Sequence, residues 1–330
     1  MAPRQIAPLS SRNVIYAAIA GNLLVAASKF AAAAVTGGSA MLSEGVHSLV
    51  DTGNSILLLY GMDRANRLPD ESHPLGYGRE IYFWSFIVAV LVFALGAGVS
   101  LYEGIAHLLH PEPIKYPSVN YAVFAASAVF DGTTWLIALW SFKGERRYRE
   151  IPRAIHESKD PPSFINLFED SAALIGLLIA VGGTYFSIRF GLPWLDGLAS
   201  VLIGLVLATT ALLLAIETMG LLIGEPADTA IVKSIRNIAM QMDGVANANG
   251  ILTVHLAPKQ IVAALSLEFD DDLKTTDIEE KVAELERRLK TAHPMVIAVF
   301  VKPQSSKGFA DMLARRRGHI VFIPKIVKVI

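Results

Sequence analysis

The sequence predicts an α-helical membrane protein with six transmembrane helices, followed by a small cytoplasmic α+β domain of the ferredoxin-like αββαβ type. The composition supports a membrane protein, because 53% of the 330 residues are hydrophobic and the mean hydropathy is +0.45. Six stretches are long and apolar enough to cross a bilayer, and a chain in lipid must satisfy its backbone hydrogen bonds as helices. They are residues 13–35, 39–62, 81–108, 119–140, 164–190 and 194–222.

Basic residues concentrate on one side of these predicted spans. The connections on that side contain Arg4, Arg12, Arg64, Arg67, Arg79, Lys143, Arg146, Arg147, Arg149, Arg153 and Lys159. The opposite connections contain only Lys115 and Arg189. The positive-inside rule then places both termini in the cytoplasm. We therefore expect a multi-pass protein of the inner membrane of a bacterium, with the first stretch retained as a span rather than cleaved as a signal peptide.

Hydropathy falls after residue 224, and shorter elements follow. The periodicity predicts a helix at 227–242, strands at 250–256 and 260–269, a helix at 276–292 and a strand at 296–301. Thr276 and Glu279 have the spacing of a capping box for the second of these helices. The predicted domains are residues 1–224 in the membrane, 225–304 in the cytoplasm, and a basic and apolar tail at 305–330. The tail either lies on an anionic membrane surface or extends without fixed structure.

Two pairs of polar residues with the same spacing lie inside predicted spans. His47 and Asp51 are four residues apart in the second span, and Asn166 and Asp170 are four apart in the fifth. Residues at this spacing lie one turn apart on the same side of a helix. An ionisable group in lipid costs about 3 kcal/mol, which favours a polar cavity or a bound cation. The alternative is a set of hydrogen bonds between helices.

Together, the two pairs form a plausible ligand set for a divalent metal ion. They supply one imidazole, two carboxylates and one amide oxygen, which is enough for tetrahedral coordination. At about 1.5 Å per residue, Asp51 and Asp170 lie roughly 15 Å and 12 Å from the cytoplasmic ends of their spans, so their depths agree. Asn166 lies lower and is the least secure ligand. The chain has no cysteine, which excludes thiolate ligands and leaves oxygen and imidazole.

The other charged residues inside the spans have less certain roles. Glu169 points about 100° away from Asp170, so it either joins the site after a helix rotation or, as we favour, pairs elsewhere in the bundle. Lys29 is expected to pair with a carboxylate, and Glu44 could be a waypoint on the outer side. Two further acids are predicted to serve in structural hydrogen bonds or proton relay rather than as metal ligands. They are Asp131 and Asp196.

This arrangement of charge predicts a transport mechanism. Two buried carboxylates need compensation, which either protons or a dication can supply, so metal and protons compete for the same oxygen atoms. A site of this kind that opens alternately to the two sides of a membrane is a metal/proton antiporter. The expected partners are a divalent metal ion, protons and the lipid bilayer. We expect no cofactor beyond the transported metal and no nucleic-acid binding.

Several stretches of the sequence resemble the cation diffusion facilitator family. They are residues 40–52, which include His47 and Asp51, and residues 100–105, 169–173 and 220–225. The resemblance covers residues 13–303 and is strongest to the branch that contains the mitochondrial zinc-transporter-like proteins. It implies a homodimeric secondary transporter, not an enzyme, whose cytoplasmic domain at 225–304 serves in dimerisation. It also implies that zinc is the leading substrate.

The sequence departs from the family pattern at two sites. The family's zinc transporters usually repeat HxxxD on the fifth span, where this chain has Asn166 and Asp170. An amide oxygen is a harder ligand than imidazole, so Mn²⁺, Fe²⁺ and Co²⁺ become possible substrates. The loop after the second span resembles the family's loop metal site at Asp70 and His73, but Tyr77 replaces its second histidine.

Two other classes of function compete with transport. A membrane metal sensor or scaffold would bind the ion without moving it, and it is the main alternative. An intramembrane metallohydrolase would need an open coordination position and a general base, which an HExxH-type helix would supply. The sequence contains no such helix.

Overall fold

The computed structural model of the protein describes residues 11–143 and 158–319. The chain divides into two compact units, and the boundary between them in the sequence lies between residues 222 and 223. This division lies close to the predicted boundary at 224, while the cytoplasmic and dimerisation roles of the second domain stay predictions. The basic connection at 144–157 and the end of the predicted tail at 320–330 lie outside the described residues.

The described residues of the first unit form six long helices. They are α1 (Ser11–Thr36), α2 (Ser39–Ala65), α3 (Glu80–Leu109), α4 (Pro117–Lys143), α5 (Pro161–Phe190) and α6 (Trp194–Ile223). A π-helical turn, Val92–Ala97, interrupts the α-helical geometry of α3 near its middle. Gly37 joins α1 to α2 with a φ of +72°, a conformation that residues with a β-carbon rarely adopt.

Five of these helices are long and apolar enough to cross a membrane. The qualifying segments are Ile19–Thr36, Glu80–Leu109, Pro117–Trp140, Pro161–Phe190 and Trp194–Ile223. The remaining helix, α2, has 27 residues and is long enough, at about 40 Å, to span a bilayer. Its many polar residues lower its hydropathy, and most of them are buried inside the unit. Length and composition therefore support five of the six predicted spans.

Small residues bring α3 and α6 into backbone contact. A β-carbon added to Gly104 would lie 2.6 Å from the backbone nitrogen of Val201, and one added to Gly197 would lie 2.9 Å from that of Leu108. Close approach at small residues is the usual way in which helices pack in lipid, where no hydrophobic effect drives them together. The two glycines thus allow α6 to pack directly against α3.

The first turn of α2 is held by a carboxylate from α6. Asp196 accepts hydrogen bonds from the backbone N–H of Ser39 at 2.6 Å, from the Ser39 hydroxyl at 3.0 Å and from the backbone N–H of Ala40 at 3.3 Å. The first N–H groups of a helix have no partner within the helix, so this buried aspartate supplies the cap from a neighbouring helix. Asp196 has the structural hydrogen-bonding role that was one of its two predicted roles, and it anchors the helix that carries His47 and Asp51.

As far as residue 319, the second unit contains a three-stranded sheet and three helices. Its elements are α7 (Thr229–Met240), β1 (Val245–Ala257), β2 (Gln260–Phe269), α8 (Thr275–Ala292), β3 (Val296–Pro303) and α9 (Ser306–His319). The strand order is β1-β2-β3, with β1 and β2 antiparallel and β2 and β3 parallel. Ile235 of α7 and Leu289 of α8 are fully buried in a common core with the sheet. The order of elements through β3 is the predicted αββαβ, while its assignment to the ferredoxin-like class stays a prediction.

Besides the start of β1, which lies at Val245 rather than at the predicted residue 250, two further details of this unit differ from the sequence predictions. The helix α8 begins at Thr275, and the side chain of Asp277 accepts a hydrogen bond from the backbone N–H of Lys274 at 3.0 Å. The predicted pairing of Thr276 with Glu279 is therefore wrong, because Asp277 already occupies the position from which a side chain reaches back to the cap.

The second difference concerns the predicted tail at 305–330, whose first part forms the helix α9. Phe309 of this helix packs onto Gly250 of β1, where a β-carbon would collide with its ring. The expectation of an extension without fixed structure is wrong for residues 306–319, whereas contact of the tail with a membrane surface stays a prediction. The mainly basic sequence of the tail gave no signal for this contact between Phe309 and the sheet.

We expect Asp196→Ala to lower the free energy of unfolding of the helical unit by about 1–3 kcal/mol, because buried donors at the start of α2 lose their acceptor. Asp196→Asn is the matched control, since its amide oxygen still accepts one of these hydrogen bonds, and its effect should be smaller. Thermal unfolding of the detergent-solubilised protein, followed by tryptophan fluorescence, measures both. An unchanged melting temperature for Asp196→Ala would contradict this role.

Candidate metal site

A cavity of about 410 Å³ lies among α1, α2, α4 and α5. Four carboxylates line it, together with the amide of Asn166. They are Asp51, Asp131, Glu169 and Asp170. Among the described residues that line the cavity, none is basic. A concentration of negative charge between apolar helices is unfavourable without a positive partner, so this cavity is suited to hold a cation.

Three of the four predicted metal ligands face this cavity. Asp51 comes from α2, and Asn166 and Asp170 lie one turn apart on α5. Asn166 is exposed, whereas Asp51 and Asp170 are half-buried. In the described part of the chain, no three His, Cys, Asp or Glu side chains converge closely enough to hold a metal ion. The assignment of these side chains as ligands therefore stays a prediction.

The fourth predicted ligand, His47, is buried next to Asp51. Its Nδ1 atom lies 3.5 Å from Oδ1 of Asp51, one helical turn away, but His47 itself does not line the cavity. Neither ring nitrogen has a hydrogen-bond partner among the described residues. A buried polar group without a partner costs about 1–3 kcal/mol, so the imidazole is available to a ligand that the protein chain does not supply.

Glu169 pairs with another side chain of the bundle and also lines the cavity. Its Oε1 atom accepts a hydrogen bond of 2.7 Å from the side-chain amide of Asn54, and the residue also lines the cavity. The favoured prediction that Glu169 pairs elsewhere in the bundle is therefore correct for one of its oxygens. Its place at the cavity makes it a further candidate ligand.

Lys29 forms the ion pair that its position in a span predicted. Its Nζ atom lies 3.0 Å from Oε2 of Glu44, 2.9 Å from Oγ of Ser48 and 3.5 Å from Oδ2 of Asp131. Lys29 and Glu44 are both fully buried. Glu44 is thus engaged in this ion pair through Oε2, and its role as an outer waypoint stays a prediction. The position of Asp131 at the cavity was not predicted, although a lysine inside a span indicates that a carboxylate lies nearby.

The loop between α2 and α3 brings Asp70, His73 and Tyr77 together through hydrogen bonds and close contacts. Oδ2 of Asp70 accepts a hydrogen bond of 2.6 Å from the Tyr77 hydroxyl, and Oδ1 accepts bonds from Ser72 and from the backbone N–H of His73. The Tyr77 hydroxyl is the main reason that the pKa of Asp70 is lowered to about 2. His73 Nδ1 lies 3.7 Å from Asp70. Because donors of the loop already satisfy this carboxylate, a metal would have to displace the Tyr77 hydroxyl.

Comparisons with known proteins agree with the architecture of the helical unit. The family profile described as the cation efflux transmembrane domain matches residues 15–223. The chain is 31% identical over 271 residues to the human protein named proton-coupled zinc antiporter, mitochondrial, an alignment that covers 82% of this chain and 48% of that protein. It is 31% identical over 233 residues to metal tolerance protein C4 of Arabidopsis thaliana, which covers 69% of this chain and 51% of that protein.

A bacterial relative matches over nearly its whole length. The manganese efflux system protein of Bacillus subtilis is 24% identical over 295 residues, which cover 88% of this chain and 95% of that protein. By contrast, this chain spans about half the length of the human and Arabidopsis relatives. The relatives named for a metal thus differ in the metal, zinc in one and manganese in the other.

Proposed function

Because this chain belongs to the cation efflux family, we propose that it exports a divalent metal cation across a membrane in exchange for protons. The observation that carries this proposal is the shared cavity of Asp51, Asn166 and Asp170, which lies between helices rather than in the second unit. A binding site among membrane-crossing helices can open to either side, whereas a site in a soluble domain cannot move an ion through lipid.

The charges at the cavity support exchange with protons. Four carboxylates around one space repel each other, and their repulsion falls when protons or a metal ion bind. A dication that enters therefore displaces protons, and protons that return displace the metal. Alternation between an inward-facing and an outward-facing form would couple the two flows, so that inward movement of protons drives metal outward.

The donor atoms of the proposed site favour zinc and manganese as the leading substrates. The imidazole of His47 favours Zn²⁺, as does the name of the human relative. The oxygen atoms of the cavity favour harder ions such as Mn²⁺, in line with the name of the Bacillus subtilis relative. We retain Zn²⁺ as the first choice, with Mn²⁺, Fe²⁺ and Co²⁺ as alternatives.

The proposal includes a topology and an oligomeric state. We propose six spans, with α2 as the second, both termini in the cytoplasm and the inner membrane of a bacterium as the location. The length of α2 and the burial of its polar residues support its place as a span enclosed by the others. We further propose that the chain acts as a homodimer through a second unit of ferredoxin-like topology.

We expect purified protein in proteoliposomes to transport Zn²⁺ or Mn²⁺ when a proton gradient is imposed, and metal flux to be accompanied by proton movement in the opposite direction. The measurement uses a metal-sensitive dye and a pH-sensitive dye in the same vesicles. Metal flux without proton movement would contradict antiport. Metal binding without any flux would favour the sensor or scaffold.

We expect Asp51→Asn and Asp170→Asn each to weaken metal binding at least about 100-fold, because each removes a charged oxygen ligand. Calorimetric titration of the purified protein with Zn²⁺ and Mn²⁺ measures this, and wild-type affinity should also fall between pH 7.5 and about pH 6 as protons compete. Asp63→Asn, the same substitution at an exposed position of α2, is the matched control and should bind normally. Unchanged binding in both site variants would move the metal site elsewhere.

We expect Asn166→His to shift selectivity toward Zn²⁺ by roughly tenfold relative to Mn²⁺, since imidazole is a softer ligand than an amide oxygen. Competition titrations with the two metals measure the ratio of affinities. Asn166→Gln is the control, because it keeps the amide and should not favour zinc. If histidine leaves the ratio unchanged, Asn166 does not contact the metal.

A further inference from the structure

Lys29 connects a buried ion pair to the candidate metal cavity. The lysine does not line the cavity, but two residues that do, Ser48 and Asp131, contact its ammonium group at 2.9 Å and 3.5 Å. Its third contact, at 3.0 Å, is Glu44, which is fully buried and does not reach the cavity. One positive charge is therefore shared between a carboxylate inside the bundle and a carboxylate at the cavity.

A purely structural lysine would need only Glu44. Two opposite charges within hydrogen-bonding distance neutralise each other, and burial of such a pair requires no third charge. The contact with Asp131 is longer, and Oδ2 of Asp131 has no hydrogen-bond partner among the described residues. Asp131 is thus held by Lys29 through a longer contact than Glu44 is, and a stronger cation in the cavity could draw it away.

We infer that Lys29 is a tethered cation that competes with the transported metal for Asp131 and thereby limits how tightly the cavity holds the metal. This inference rests on the proposed function, since it takes the cavity as the transport site. Lys29 acts through Asp131 and is a positioning residue, while Asp131 is an additional carboxylate that meets the metal. A fixed positive charge next to the site also repels a dication directly.

A lysine that weakens metal binding is useful to a transporter, which must release its ion, but not to a protein that stores the metal. A site that must release its ion has to bind strongly enough to capture it and weakly enough to let it go. Four carboxylates around one cavity would bind a dication tightly and release it slowly. A lysine that takes up part of the charge of Asp131 lowers this affinity without removing a ligand.

The test compares two variants that should change the affinity for metal in opposite directions. Lys29→Met combined with Glu44→Gln removes both members of the buried ion pair, so no charge is left unpaired at the position of Glu44, and the carboxylate of Asp131 is released to the cavity. We expect the Kd for Zn²⁺ and Mn²⁺ to fall roughly tenfold. Glu44→Gln alone frees Lys29 to pair with Asp131, and we expect the Kd to rise roughly threefold. Both are measured by calorimetric titration of the full chain.

The route through Asp131 is tested by a third substitution. Adding Asp131→Asn to the variant without the ion pair should abolish the gain in affinity, because the released carboxylate is gone. If the variant with both substitutions folds, as judged by its melting temperature, and binds metal no more tightly than the wild type, the inference is wrong. If that variant does not fold, Glu44→Gln alone decides, and unchanged or tighter binding then overturns the inference.

Asp51→Asn separates this inference from the proposed function. If Asp51→Asn binds metal normally, the transport site lies elsewhere and both ideas fail. If Asp51→Asn loses binding but the removal of Lys29 and Glu44 brings no gain in affinity, only the role of Lys29 is refuted.

Discussion

The cost of burying carboxylates among apolar helices determines how the helical unit is organised. Three of its buried acids are compensated by groups of the protein itself: Asp196 by backbone N–H groups, Glu44 by Lys29 and Glu169 by the amide of Asn54. Each of these contacts joins two helices and fixes their relative position. Glu169 also lines the cavity, and together with Asp51, Asp131 and Asp170 it belongs to the carboxylates that a bound cation would neutralise.

The sequence allowed the faces of single helices to be predicted, but not the contacts between helices. The spacing of Asn166 and Asp170 placed both on one side of α5, and both line the cavity. The rotation of α4 relative to α2 depends on packing of the whole bundle, so the approach of Asp131 to the same space had no local signal. For the same reason, Lys29 was expected to find an acid, but the sequence could not identify Glu44 and Asp131 as the two.

In the second unit, the elements that follow from local sequence patterns were predicted, and those that depend on particular contacts were not. The alternation of apolar residues predicted its strands, and β2 has the predicted bounds, Gln260–Phe269. The start of α8 was predicted with the wrong cap because several polar residues near it, Thr276 and Asp277 among them, could serve. The choice depends on a distance of 3.0 Å between Asp277 and the backbone of Lys274. The helix α9 depends on Phe309 meeting Gly250, two residues far apart in the sequence.

The position of His47 links the structure to the question of the metal. The cavity itself offers oxygen atoms from Asp51, Asn166 and Asp170, a set that suits hard ions such as Mn²⁺. The imidazole lies behind Asp51, with Nδ1 at 3.5 Å from its carboxylate. If His47 only orients the carboxylate of Asp51 and does not itself contact the metal, the metal-binding atoms are all oxygens. If the ring turns into the cavity, the site gains the nitrogen that Zn²⁺ prefers. On the proposed function, the orientation of this buried side chain is therefore one determinant of the choice between metals.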